Sequence, residues 1–322
     1  MRFGLAHIAV DNDFAPTLEQ SIHAEELGFD FIGFAEHHGS PYVYPYAIPA
    51  LAAVATRTRR VRLISTILLL PLFHPVRIAE DGALLDVISG GRLVLGVAAA
   101  YAPKEFAAFG VPLSERRQRM EEGVRLIRRL WTEDEVTYEG RGVSLSRFRL
   151  FPQPIQKPPP IWIGGIVRAS IRRAARLGDA FFMGATPTLG EIHERLAIYR
   201  EALAERGETL AGKEVPLLRY VFVAKDRAET EEAKRLIVRR FQEEYTGWGM
   251  PDVLKNRDMS PEAILRDRII VGEASACVED LARYRDAGIT LIGACARFPG
   301  MSHETTLAGM RRLAERVMPQ LA

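Results

Sequence analysis

Eight short apolar runs, each followed by a longer stretch of helical period, constrain this chain more than any other feature. They are "FGLAHIAV" (3–10), "FDFIGFAE" (29–36), "VRLISTILLLP" (61–71), "RLVLGVAAAY" (92–101), "PIWIGG" (160–165), "DAFFMG" (179–184), "PLLRYVFVA" (216–224) and "ITLIGACARF" (289–298). The runs are apolar throughout rather than alternating, as a parallel sheet covered on both faces requires. Helices are predicted between them: one closing on Gly28, one over 47–58, one over 76–88 ending in "SGG", and "SERRQRMEEGVRLIRRLW" with Ser114 as its N-cap. The rhythm predicts an α/β chain folded as one (β/α)₈ TIM barrel over 1–322; an open doubly wound sheet is the alternative. No G-x-G-x-x-G follows the first strand, and no G-x-x-x-x-G-K-[ST] occurs.

Two stretches break the rhythm. Residues 132–160 alternate and then turn proline-rich, which reads as a surface hairpin and an extended connector. Residues 225–271 begin as a charged helix and continue, over 245–271, as an irregular segment with glycines around Trp248, read as a lid.

Composition narrows the functional classes. Hydrophobic residues make up 48% and charged residues 26%, with 43 basic and 41 acidic side chains well mixed along the chain. The net charge of +2 gives no reason to invoke nucleic acid or an anionic membrane. "LISTILLLPLF" is too short to span a bilayer, and the N-terminus lacks the apolar core of a signal peptide. Cys277 and Cys295 form no metal-type spacing, so the setting expected is the reducing cytoplasm.

In such a barrel the active site lies at the carboxyl ends of the strands. The residues gathered there are His7, Glu36-His37-His38, Thr66 to Leu69, Ala98 to Tyr101, Gly164-Gly165, Met183-Gly184, Tyr220 to Val223 and Arg297. These ends are mainly apolar and small, which suits a large flat ligand. The "GGIVRAS" turn offers a phosphate cradle: two glycines for close approach, helix N–H groups, Arg168 and Ser170. Adjacent His37 and His38 point to opposite faces if the strand continues, so they do not share one ion, and metal is the weaker reading.

"AEHH", "HPVRIAEDGALLDVISGGRLVLGV" with "APKEFAAFGV", "QPIQKPPPIWIGG", "AARLGDAFF" and "HETTL…RLAERVMPQL" together resemble the bacterial-luciferase-like family of flavin-dependent oxidoreductases. The resemblance spans nearly the whole chain. It implies a barrel with insertions and a two-component monooxygenase that takes reduced FMN from a separate reductase and oxidises a small organic substrate with O₂. It also implies two alternatives, hydride transfer with the deazaflavin F420 and a non-catalytic flavin binder, and a homodimer using the helix at 75–88. By the same resemblance His37 is catalytic, with Glu36 as its neighbour. The resemblance implies cofactor-binding roles for Thr66, Ile67, Leu68, Ala98, Ala99, Gly164, Gly165, Arg168 and Ser170, and His7, His38 and Tyr101 are expected to join them from their strand-end positions. A non-proline cis peptide is expected between Ile67 and Leu68. Ala98 and Ala99 stand where the family usually carries glycine and luciferases an arginine to the phosphate.

Overall fold

Nine strands run parallel in one curled sheet. In chain order they are β1 (Arg2–His7), β2 (Phe31–Phe34), β3 (Arg62–Ser65) and β4 (Leu93–Val97), then, after the separate antiparallel hairpin β5 (Val136–Gly140) and β6 (Val143–Phe148), β7 (Ile161–Gly164), β8 (Ala180–Phe182), β9 (Pro216–Val223), β10 (Ile269–Gly272) and β11 (Leu291–Cys295). The lateral order is β10-β9-β11-β1-β2-β3-β4-β7-β8. Met183, just past β8, donates its N–H to Pro216 O (3.0 Å) and accepts from the Leu218 N–H (2.9 Å), so the far edge of the order meets β9. This computed structural model describes residues 1–322 apart from 9–12, 41–42, 248–257, 259 and 267.

The helices are α1 (Ala15–Glu26), α2 (Ala47–Arg57), α3 (Pro75–Ser89), α4 (Pro103–Ala108), α5 (Arg116–Thr132), α6 (Arg168–Leu177), α7 (Leu189–Ala204), α8 (Arg227–Gly247), α9 (Pro261–Leu265), α10 (Ala274–Ala287), α11 (His303–Arg316) and α12 (Met318–Leu321). Among the described residues no helix is long and apolar enough to cross a membrane.

Two-residue alternation sorts the strand side chains between two apolar cores. Phe3, Leu5, Ile32, Phe34, Leu63 and Leu95 pack outward beneath the helices. Ala6, Phe31, Ile64, Val94, Trp162 and Phe222 fill the concave side. Small residues make the large ones fit. A Cβ on Gly4 would fall 2.1 Å from the Phe31 ring, so only glycine lets that ring lie across β1. Gly82 interrupts α3 at a helix-propensity cost of ~1 kcal/mol, because a Cβ there would lie 2.8 Å from Trp131 Cζ2. Trp131 is fully buried and donates its indole N–H to Ala79 O at 2.9 Å, joining α5 to α3.

Several local expectations are corrected. The 269–272 run, read as part of an irregular segment, is strand β10, pairing with β9 from Ile269 to Gly272. Ser114 lies in a 3₁₀ turn (Leu113–Glu115), and Glu115 precedes α5 instead. An additional short helix, α4, opens at Pro103, whose missing N–H costs nothing in a first turn. Gly90 closes α3 at φ 73°, the left-handed conformation glycine adopts without a Cβ penalty. Within the expected lid, 248–257 (with Trp248), 259 and 267 lie outside the described residues.

Candidate active site

The loop after β2 carries "AEHH", and the fold gives each member a different environment. Glu36 is 2% exposed. Its Oε1 accepts from the Leu69 N–H (3.0 Å) and its Oε2 from the Ala47 N–H (3.2 Å), at the first turn of α2. A carboxylate suits that position because the unsatisfied N–H groups of a helix start favour negative charge. Glu36 therefore ties three segments together: the β2 loop, the β3 loop and α2.

His37 points elsewhere. Its Nδ1 lies 3.0 Å from Glu105 Oε1, and its ring meets Tyr101 edge-on at 5.7 Å. Glu105 comes from α4 and is 1% exposed. The same Oε1 accepts from the His38 backbone N–H at 2.9 Å. An ionised carboxylate only accepts, so it selects the tautomer with hydrogen on Nδ1 and puts the neutral ring's lone pair on Nε2. The His38 ring turns away into an aromatic slot, 4.5 Å from Phe109 and 5.5 Å from Phe73. Its Nε2 comes within 3.5 Å of Glu36 Oε1.

Beside this pair lies a floor with almost no charge. The cis peptide is Thr66–Ile67, one bond earlier than expected at Ile67–Leu68. Around it Thr66 and Ile67 both belong to the concave side, whereas Leu68 packs into the outer core. Leu68 donates its N–H to Gly96 O and accepts from the Ala98 N–H, both at 2.9 Å, which seats Ala98 beside the bulge. A Cβ on Gly164 would lie 2.7 Å from Ile67 Cδ1 and 3.6 Å from Ala98 Cβ. A Cβ on Gly33 would lie 2.7 Å from Thr66 Cγ2. Thr66, Ile67, Ala98 and Gly164 are thus brought together.

Three buried polar atoms here have no hydrogen-bond partner among the described residues: Thr66 Oγ1, Glu105 Oε2 and His38 Nε2. Buried polar atoms are seldom left unsatisfied. A flat ring with polar edges, laid on small uncharged residues, fits this surface.

Other expected site residues stand apart. His7 faces α1: its Nε2 is 2.9 Å from Ser21 Oγ, and its ring stacks on Phe34 at 4.8 Å. Ser21 already donates its hydroxyl hydrogen to Thr17 O (2.8 Å), so Nε2–H of His7 is the donor. Burial, then the charge of Arg297, push the His7 pKa down to about 3 and keep it neutral. Arg168, expected at a phosphate, pairs with Glu201 of α7 at 2.7 Å and is 56% exposed. Ser170 Oγ closes its own turn, donating to Val167 O (2.7 Å) and accepting from the Val167 N–H (3.1 Å). Gly165 is required by that turn, since its Cβ would lie 2.5 Å from Ser170 Oγ. Ala99 packs on the outer core. Ala100 holds φ at 54° and redirects the chain so that Tyr101 reaches His37.

Glu105 is the residue that sequence reading missed. "APKEFAAFGV" was visible as a motif, but nothing in it says that its acid is buried against the "EHH" loop.

Comparison with known proteins identifies the family. Residues 1–291 match the luciferase-like monooxygenase family. The solved structure of monooxygenase RslO1 from Streptomyces bottropensis superposes with a TM-score of 0.90 at 28% identity, covering 100% of both chains. The oxygenase component of flavin-dependent trigonelline monooxygenase from Acinetobacter baylyi is 26% identical over 92% of this chain and 86% of its own. An F420-dependent glucose-6-phosphate dehydrogenase from Amycolatopsis mediterranei is 28% identical over 94% of this chain and 93% of its own. Both kinds of oxidoreductase therefore occur among its relatives, and the chain belongs to the luciferase-like monooxygenase family.

Proposed function

We propose that the chain is the oxygenase component of a two-component monooxygenase, receiving reduced FMN from a separate reductase and acting on a small organic substrate with O₂. The observation that carries this is the His37–Glu105 pair at the rim of an uncharged floor that a flat ring fits. Thr66, Ile67, Ala98 and Gly164 would hold the ring's face, with Thr66 Oγ1 offered to a polar edge. When bound, reduced FMN supplies the two electrons that activate oxygen. His37 holds or accepts a proton at Nε2, Glu105 fixes its tautomer and orientation, and Glu36 positions the loop that carries it. The apolar rim, with Ile8, Tyr220 and Phe298 on the concave side, favours excluding water.

The full-length likeness to RslO1 supports the monooxygenase over hydride transfer with F420. The second reading is supported by the F420-dependent relatives, and the same histidine–carboxylate pair would serve it. We read the curled sheet as a closed (β/α)₈ barrel, with β10 accessory to it, forming a single domain whose insertions are 132–160 and 225–271. A homodimer through α3 is supported by its exposed Leu84, Val87 and Ile88 beside Ile155. A cytoplasmic setting is supported by Cys277 and Cys295, both buried thiols rather than halves of a disulfide.

The test is an anaerobic titration of the purified chain with reduced FMN and, separately, with F420, followed by absorbance, and then oxygen consumption with a flavin reductase. Binding of reduced FMN and substrate-coupled oxygen uptake are expected. F420 binding without reduced-FMN binding would transfer the assignment to hydride transfer, and binding without turnover on any substrate class would make the chain a flavin carrier.

A further inference from the structure

On the convex side, α5, α6 and the end of α7 enclose an open groove of about 750 Å³. Six arginines line it: Arg117 and Arg125 on α5, Arg172, Arg173 and Arg176 on α6, and Arg206 beyond α7. Three glutamates, Glu121, Glu122 and Glu205, face them, which leaves an excess of three positive charges. Arg172 is held by Glu205 and, at 3.7 Å, by Glu201, and Arg206 by Glu208 at 3.0 Å, so the imbalance lies in the cluster around Glu121. Glu121 alone is shared by Arg125 (3.3 Å), Arg173 (3.0 Å) and Arg176 (2.5 Å). Glu122 accepts from neutral Gln118 at 2.9 Å.

Arg173 is the informative member. Its side chain is only 7% exposed, and its hydrogen bond runs from Nε to Glu121 Oε1. Among the described residues neither terminal amino group has a hydrogen-bond acceptor, and neither is among the fully enclosed unpaired atoms. They therefore open into the groove that Arg173 lines. A guanidinium that gives up most of its hydration ordinarily has acceptors for all its donors, because desolvation otherwise goes uncompensated. Ala169 and Ala202 contribute only methyl groups to the lining.

We propose that this groove binds a small ligand carrying two or more linked phosphates. Planar guanidinium forks match phosphate oxygens two at a time, and a polyanion relieves the mutual repulsion of arginines that Glu121 cannot neutralise. The volume lies within the ~300–1,000 Å³ usual for small-molecule sites. None of the residues gathered at the candidate active site lines the groove, so this site is independent of the flavin reading.

The test is isothermal titration calorimetry of the cofactor-free full chain with tripolyphosphate, and in parallel with ADP, at low and at physiological salt. Wild type should bind one equivalent, with affinity falling as salt rises. Arg173→Gln/Arg176→Gln should weaken binding at least tenfold. Arg235→Gln/Arg239→Gln, which removes the same charge from exposed positions on α8, should change it less than twofold. Because the first variant strips Glu121 of partners, Ala169→Glu is the second probe. It removes no ion-pairing residue, and an acidic residue suits the first turn of α6, yet it should abolish binding. Tighter ADP binding assigns the groove to a nucleotide; tighter tripolyphosphate binding assigns it to a bare phosphate chain. Absence of saturable binding to wild type, equal weakening by the α8 control, or unchanged binding in a folded Ala169→Glu chain would each overturn the proposal.

Discussion

His7 gives a prediction whose magnitude follows from its surroundings. Burial against Phe34 and Ser21, with Arg297 near, holds its folded pKa at about 3, against 6.5 for an unconstrained imidazole. The unfolded chain therefore binds the extra proton first. Stability is fully present above the unfolded pKa and falls as pH drops through the window between 6.5 and about 3. The slope approaches ~1.4 kcal/mol per pH unit, so this residue removes about 2 kcal/mol between roughly pH 7 and pH 5. That figure is insensitive to the folded value, because pH 5 lies well above it. His7→Gln keeps an N–H for Ser21 Oγ and does not titrate. Urea unfolding of both proteins at the two pH values isolates the difference. The wild type should lose about 2 kcal/mol more than the variant on acidification; parallel losses would refute the assignment of a buried neutral His7.

Glu105→Gln retains an oxygen acceptor but loses the charge that selects the His37 tautomer. Turnover should fall roughly 10–100-fold, as when a group orienting a ligand histidine is removed, with flavin affinity within a few-fold and the kcat–pH profile displaced. Unchanged kcat and profile would show that His37 works without it. His37→Ala should cut turnover by roughly 10²–10⁴ and His38→Ala should chiefly affect stability; the reverse pattern in steady-state assays would exchange their roles. Gly164→Val fills the floor against the movable Cδ1 of Ile67, so flavin Kd should rise at least tenfold, about 1.4 kcal/mol, with little change in Tm. The equivalent change at Gly165 would instead disrupt the Ser170 turn and test folding. Gly82→Ala should destabilise by about 1–3 kcal/mol despite its better helix propensity, because Trp131 cannot withdraw; a raised denaturant midpoint would count against that packing.

The family and the parallel βα rhythm were legible in the sequence, since they rest on local patterns: apolar runs of strand length, helical periods between them, and motifs at strand ends. The expected strand-2 alternation does not reach the histidines: β2 ends at Phe34, and it is the loop after it that puts the two imidazoles in different surroundings. Strand β10 escaped notice because "RIIVG" is short and sits among charged residues.

What the sequence could not supply were partners distant along the chain. Glu105 lies 68 residues from His37, and only the folding of α4 onto the β2 loop makes its carboxylate the acceptor for both histidine segments. Strand-end position placed His7 at the mouth, and the expected phosphate cradle placed Arg168 there, but a side chain can leave a strand end or a helix start on either face. His7 falls on the outer face with Phe3 and Leu5, and Arg168 finds a carboxylate on α7. Local sequence sets which elements form and where they end; which charges meet across them is decided by tertiary packing, because burial and electrostatic pairing depend on distances that the linear pattern does not encode.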